Sequence, residues 1–194
     1  NNRYEIKKKL GSGSFGIAYF ALEKDTNKKV ALKKVKLAPK GSVKTEAVLL
    51  SSLNHANIVR LFESFFIKDL FWIVLEYCEN GDLGTKIQKV KSENGRIKPN
   101  TIIRWTYQML DALQYMHSRK VLHRDLNPAN ILLVGDNVKL ADFGLSKQLL
   151  QSTCHSAPTG TWAYRSPEMF DETYNSKSDI WSVVWYFLNF FVLI

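Results

Sequence analysis

Cysteine is scarce in this chain: only Cys78 and Cys154 occur among 194 residues. Two widely separated cysteines make neither a metal-binding quartet nor a disulfide framework, so a reducing compartment is the simpler expectation. No secretory leader is expected either. The first ten residues are polar and basic, no apolar stretch follows them, and the chain opens on Asn1-Asn2 without a methionine. Membrane-length apolar runs are also lacking. The run over residues 180–194 has fifteen residues, below the roughly twenty that span a bilayer, and is expected to be a core helix rather than an anchor. Acidic residues are outnumbered, 18 Asp and Glu against 27 Lys and Arg, giving a formal charge of +9. Such an excess can serve nucleic acid or membranes. Here the lysines are scattered and form no stripe interleaved with aromatics. We expect a solvated basic surface that attracts phosphate ligands, with neither nucleic acid nor membrane as partner. The same absences point to an intracellular location, cytoplasmic or nuclear.

What is present suffices for a core. Hydrophobic residues make up 45% of the chain, and its length suits one domain or two small lobes. Residues 4–37 alternate between apolar runs and turns: YEIKKKL, GSGSFG, IAYFALEK, a turn at Asp25-Thr26-Asn27, then KVALKKV. Gly11, Gly13 and Gly16 form G-x-G-x-x-G. Glycines let backbone N–H groups approach phosphate oxygens with no Cβ in the way. Dinucleotide-binding folds share this spacing, but there a helix follows the last glycine. Here IAYFAL reads as a strand, which favours a loop between two strands that covers phosphates, with Phe15 at its tip. An isolated strand lysine such as Lys33 is ordinarily exposed, and Lys34 points to the opposite face. Residues 44–53, KTEAVLLSSL, have a helical pattern. IVRLFESFF and LFWIVLEY, separated by a turn at Lys68-Asp69, read as two more strands. Residues 83–119 look helical, interrupted by SENGRIKPN. Ile102, Trp105, Met109, Ala112, Leu113 and Met116 then fall on one core-facing stripe.

The stretch that carries chemistry is residues 123–144, HRDLNPANILLVGDNVKLADFG. ILLV and VKLA flank a turn at Gly135-Asp136-Asn137 and read as a hairpin with polar groups at its ends. Asp125 is placed to take a proton or orient a hydroxyl. Asn130 and Asp142 offer oxygens to magnesium, which prefers such ligands and keeps several waters. Each residue alone is an ordinary turn former. Jointly, H-R-D-L-x-x-x-N followed by D-F-G is the signature of protein kinases, and this block resembles their catalytic and magnesium loops.

The resemblance runs from about Tyr4 to about Trp185. It implies an α+β, two-lobed fold over residues 1–194. A small lobe of five antiparallel strands and one helix would occupy 4–77, a hinge 78–82, and an incomplete, mainly helical large lobe 83–194. YCENGDL, GTWAYRSPE and YNSKSDIWS are most similar to the NIMA-related Ser/Thr kinases, and Gly160-Thr161 resembles the Ser/Thr-specific pattern. The implied reaction moves the γ-phosphoryl of ATP, with Mg2+, to a Ser or Thr hydroxyl of a protein. By resemblance, Asp125 accepts or orients the hydroxyl proton, and Asn130 and Asp142 hold magnesium. Lys33, supported by Glu46, holds the α- and β-phosphates. Leu10, Gly11, Gly13, Phe15 and Gly16 cover the nucleotide, while Ala18, Ala31 and Leu132 sandwich adenine. Glu76 to Cys78 supply backbone groups to adenine. Asp82 is either a ribose ligand or a helix N-cap. Asp179 braces the backbone of the His-Arg-Asp loop. Arg124 awaits a phosphorylated loop, with Thr153, Ser156 and Thr159 as candidate sites.

Four departures stand out. Asn127 replaces the usual lysine, Ala18 the usual valine, and Val183-Val184 a small glycine region, and Glu168 lacks its usual arginine. An unpaired buried carboxylate is costly. Lys33 and Glu46 are also only thirteen positions apart, so the intervening tether is short. Asn127 and the incomplete large lobe keep an alternative open: a pseudokinase or scaffold that binds ATP with little or no turnover.

Overall fold

The computed structural model describes residues 3–13, 16–35, 43–68, 70–148, 154–155, 162–169 and 173–191. Phe15, Thr153, Ser156, Thr159, Gly160 and Thr161 lie outside the described residues, as does the side chain of Glu46. The chain forms two compact units. One comprises Asn1–Asn54 and Val59–Cys78, the other His55–Ile58 and Glu79–Ile194.

The first unit is one sheet and one helix. Its strands are β1 (Tyr4–Gly13), β2 (Gly16–Glu23), β3 (Lys29–Val35), β4 (Leu61–Ile67) and β5 (Leu70–Glu76), with α1 (Val43–Ser51) between β3 and β4. The spatial order is β1-β2-β3-β5-β4, and every pairing is antiparallel. Strand alternation sorts the side chains to two faces. Ala21, Val30, Leu32 and Val74 are buried on one face beneath Tyr19, Phe65 and Trp72. Val35, Phe71 and Ile73 are buried on the other, where Ala47 of α1 covers them. The glycine-rich segment differs from the turn expected of it. β1 continues through it, with Gly11 opposite Ala18 and Gly13 opposite Gly16, so the connection shrinks to residues 14–15. Glycines have no side chain to pack, but their backbone groups still pair across a tight hairpin. At the sheet's edge Arg3 reaches Glu23 at 2.6 Å and Glu63 at 3.0 Å, and the Tyr4 hydroxyl also donates to Glu63. The Thr26 hydroxyl and then Arg3 hold the Glu23 carboxyl below the ordinary glutamate range.

The second unit is mainly helical. It contains α2 (Leu83–Ser92), α3 (Pro99–Ser118), the short strand β6 (Val121–Leu122), the hairpin β7 (Ile131–Val134) and β8 (Asn137–Leu140), the two-residue strands β9 (Lys147–Gln148), β10 (Cys154–His155) and β11 (Thr173–Tyr174), and α4 (Ser176–Phe191). α3 begins at Pro99, whose missing N–H and fixed φ suit a first helical turn. All six residues of its expected stripe are buried. The Gln108 side chain ties α3 to the hairpin: its carbonyl accepts from Val138 N at 3.0 Å and its amide donates to Asn137 at 2.6 Å. Residues 145–168 read as loop in the sequence. In the structure β9 pairs with β6 and β10 with β11. Two-residue strands carry no periodicity, and their partners are distant in the chain.

The segment His55–Ile58 lies between α1 and β4 in sequence, yet its bonds are to the second unit. Asn57 Nδ2 donates to Val138 O at 2.8 Å, Leu140 N donates to Asn57 O at 2.9 Å, and the His55 ring sits 3.2 Å from the Asp111 carboxylate. Among the described residues no helix is long and apolar enough to cross a membrane.

Candidate active site

The loop after β6 is fixed from beneath by one buried aspartate. Asp179, in the first turn of α4, is 2% exposed. Its Oδ1 accepts from Arg124 N at 2.9 Å, and its Oδ2 accepts from His123 N at 3.0 Å and His117 Nε2 at 2.8 Å. Burial pushes this carboxyl up. The hydrogen bond from His117 and the Arg124 N–H outweigh burial, so it lies below the ordinary aspartate value. The bracing role agrees with the resemblance; the contribution of His117 was not foreseen. In sequence His117 looks like one more basic residue in a last helical turn. The braced loop holds Arg124 at φ 71, a left-handed conformation that side chains disfavour. His123 is fully buried. Its Nδ1 accepts from Asp125 N at 3.4 Å and its Nε2 donates to Ala141 O at 3.0 Å, so the proton sits on Nε2. Its ring packs 5.0 Å from that of Phe143.

Two asparagines hold the Asp125 carboxylate from either side. Asn130 Nδ2 donates to Asp125 Oδ2 at 3.0 Å and to Asp125 O at 2.8 Å. Asn127 Nδ2 donates to Asp125 Oδ1 at 3.1 Å and to Asp125 O at 3.3 Å. Asn127 is buried and extended, at φ −150 and ψ 160, as the residue before a proline must be. Its Oδ1 accepts from Ala129 N at 3.0 Å and caps the short 3-10 turn Pro128–Asn130. Shaping the turn before Pro128 is therefore part of what Asn127 does. Its contact with Asp125 carried no signal in the sequence, because i to i+2 side-chain bonds depend on the local backbone.

The hairpin register brings the two oxygen donors together. Ile131 pairs with Leu140, and Ala141 N extends the ladder by donating to Asn130 O at 2.9 Å. Asp142 follows at φ 59, left-handed, and its Oδ1 accepts from Gly144 N at 3.3 Å. The Asn130 amide nitrogen faces Asp125, which turns its carbonyl oxygen the other way. Among the described residues no cluster of three His, Cys, Asp or Glu side chains could hold a metal. One carboxylate and one amide oxygen instead fit magnesium, which binds few protein ligands and completes its shell with water and phosphate.

In the first unit, register gathers a second group. Gly11 lies opposite Ala18, Ala18 opposite Lys33, and Ala31 opposite Leu75, so these residues share the sheet face that carries Val35 and Ile73. A Cβ on Gly11 or Gly13 would meet no atom within 4 Å, whereas on Gly16, at φ 151, it would lie 2.1 Å from Lys34 O. The first two glycines thus face open space, and the third permits close packing on β3. Leu10 sits at a register shift and is exposed. Glu76 N donates to Arg60 O at 2.9 Å, and Cys78 is buried. Asp82 caps α2: Oδ1 accepts from Thr85 N at 2.8 Å and Oδ2 from the Thr85 hydroxyl at 2.7 Å. Its backbone bridges to Leu132.

Glu168 corrects one expectation. It does not stand without a partner, because the Ser178 hydroxyl of α4 donates to its Oε1 at 2.8 Å. Burial raises its pKa, but hydrogen bonds from its own backbone N–H and from Ser178 bring it below the ordinary glutamate value. Its partner is a neutral hydroxyl in place of the arginine that the chain lacks.

The chain is similar to known proteins over most of its length. A family model described as Protein kinase domain matches residues 4–192. The chain is 44% identical over 193 residues to serine/threonine-protein kinase Nek11 of Homo sapiens, covering 93% of this chain and 30% of that protein. It is 40% identical over 190 residues to serine/threonine-protein kinase Nek3 of Mus musculus, covering 94% and 36%. CBL-interacting serine/threonine-protein kinase 2 of Arabidopsis thaliana is 35% identical over 197 residues, covering 93% and 41%. The chain thus spans about a third of the length of these relatives.

Proposed function

This chain belongs to the protein kinase family, and on that premise we propose that it transfers the γ-phosphoryl of ATP to a Ser or Thr hydroxyl of a protein substrate. The observation that carries the reading is the Asp125 carboxylate, held by Asn127 and Asn130 in a loop braced by Asp179. A carboxylate offers about four acceptor positions. Such a group can receive a substrate hydroxyl, orient it and take its proton as the new bond forms. The Gly11–Gly13 backbone approaches the phosphates, and Lys33, on the sheet face covered by α1, pairs with the α- and β-phosphates with Glu46 of α1 in support. Ala18, Ala31 and Leu132 contact adenine, and Glu76 to Cys78 meet its edge with backbone groups. Asn130 and Asp142 hold Mg2+, which neutralises phosphate charge when bound. The Ser/Thr assignment is supported by the Gly160-Thr161 pattern and by the names of the relatives.

A second reading rests on Asn127: a protein that binds Mg-ATP and turns it over slowly or not at all. A labelled phosphate-transfer assay on casein separates the two, with Asp125→Asn as background. Removing a general base costs typically about 10²–10⁴ in rate. Transfer by the native chain that does not rise above the Asp125→Asn background, with Mg-ATP still bound, would leave the second reading standing. Arg124 further suggests control by loop phosphorylation. Replacing Thr153, Ser156 and Thr159 together with Ala is expected to lower transfer. Unchanged transfer, with the native loop shown to be phosphorylated, would remove that role.

A further inference from the structure

A basin in the second unit, away from the Asp125 loop, is built from α2, the start of α3 and the β7–β8 turn. Its volume is about 440 Å³, within the range of specific ligand pockets. Its floor is apolar and firmly packed: Ile97, Trp105 and Leu133 line it and are each less than 7% exposed. Its rim is cationic. Lys86, Lys89, Arg96 and Lys98 line it and are exposed, and Asp136 is the single carboxylate among the lining residues. That carboxylate already faces Arg104 at 3.6 Å. The exposed Lys89–Glu93 contact, at 3.9 Å, offsets little of the excess.

The walls are fixed before any ligand arrives. Trp105 Nε1 donates to Asp136 O at 2.9 Å, and Gly135 N donates to Asn80 Oδ1 at 2.6 Å. Asn80 N and Leu133 N donate to Leu133 O and Gly81 O, which ties the α2 approach to β7. The N-terminal end of α3 adds to the positive potential. Its N-cap, Lys98, makes no side-chain cap bond, and its first turn has no acidic residue.

We propose that this basin docks an acidic peptide segment of a partner protein. Carboxylates of the peptide pair with the rim cations, and an aliphatic side chain between them rests on the floor formed by Ile97, Trp105 and Leu133. Charge complementarity selects the partner and speeds its encounter; the floor gives position. The arrangement does not depend on phosphoryl transfer and is tested by binding alone.

The probe is a short fluorescein-labelled peptide, Glu-Asp-Glu-Leu-Glu-Asp, titrated with the whole chain and followed by anisotropy. Saturable binding is expected, with the Trp105 indole N–H resonance shifting in step. Lys86→Glu/Arg96→Glu/Lys98→Glu is expected to weaken binding by about tenfold or more. Lys7→Glu/Lys8→Glu/Lys24→Glu, the same charge change placed elsewhere, is expected to leave it near native. A peptide with glycine in place of leucine is expected to bind more weakly. Thermal unfolding of both variants shows whether each is folded. If the rim variant is not, the Trp105 shift and the glycine peptide decide on the native chain. Four results would overturn the proposal: no binding by the native chain, equal weakening by both triple variants, equal affinity for the leucine and glycine peptides, or tighter binding of a single-stranded oligonucleotide at the same residues.

Discussion

At Gly16 a side chain has nowhere to go, while at Gly11 it meets open space. Gly16→Ala is therefore expected to lower unfolding free energy by about 1–3 kcal/mol, the usual cost of overpacking. Gly11→Ala should leave unfolding nearly unchanged yet weaken Mg-ATP binding, because the added methyl stands where backbone and phosphate would meet. Urea unfolding and calorimetric ATP titration check the pair, and equal ATP affinity in Gly11→Ala and native protein would detach the glycine segment from nucleotide binding. Asn127 is the other decisive single residue. Lysine there would forfeit the cap on Ala129 N and the bond to Asp125, at about 1 kcal/mol for a lost cap. It would add a cation beside developing negative charge, where one preorganised donor is worth roughly 2.7–4 kcal/mol. The second magnitude is larger, so Asn127→Lys is expected to speed single-turnover transfer despite some loss of stability. Equal single-turnover rates at equal ATP affinity would show the missing charge to be supplied elsewhere.

Among the elements, α2 and α4 each carry a carboxylate whose work the structure specifies. Asp82 begins α2, which packs on the Pro128–Asn130 turn. Asp82→Ala should cost about 1 kcal/mol, the usual value of an N-cap, and Asp82→Ser should recover it. Weaker ATP binding in the stable Ser variant would assign Asp82 a ribose contact as well. Asp179 begins α4 and holds the His123–Arg124 backbone. Its pKa in the folded protein lies below the ordinary 3.8. Unfolded chains therefore take up its proton first, and stability rises with pH through that range. The contribution is fully present above 3.8 and is lost as pH falls through the depressed folded value. Asp179→Asn leaves His117 and two loop N–H groups facing an amide, and should cost about 3–5 kcal/mol at neutral pH. The gap between variant and native protein should narrow below pH 3.8 in urea titrations; a gap independent of pH would contradict the assigned ionisation.

For the molecule as a whole, the notable surface is on α4. Trp181, Val184 and Trp185 are each more than 40% exposed, whereas Val183 is buried. Exposed apolar clusters of this kind drive association. The chain studied alone is expected to self-associate, and Trp181→Lys/Val184→Lys should shift it towards monomer in light scattering coupled to gel filtration. A native chain that stays monomeric and unfolds cooperatively would contradict this.

The two-period alternation of the strands and the helical stripe from Ile102 to Met116 are local properties, readable because the burial they dictate repeats along the chain. The His123–Gly144 pattern was readable through its resemblance to the protein-kinase signature. Composition likewise set the basic charge and the shortage of membrane-length runs. What could not be read is long-range or depends on backbone angles. His117 reaches Asp179 across sixty-two positions, Ser178 reaches Glu168, and His55–Ile58 joins the second unit. Asn127 bonds Asp125 from an extended backbone that the following Pro128 favours. The cationic basin gathers residues from three elements whose lysines look merely scattered in the sequence. Side-chain type is written locally, but a hydrogen bond or a rim of charge needs two or more segments at a set distance, and packing alone supplies that distance.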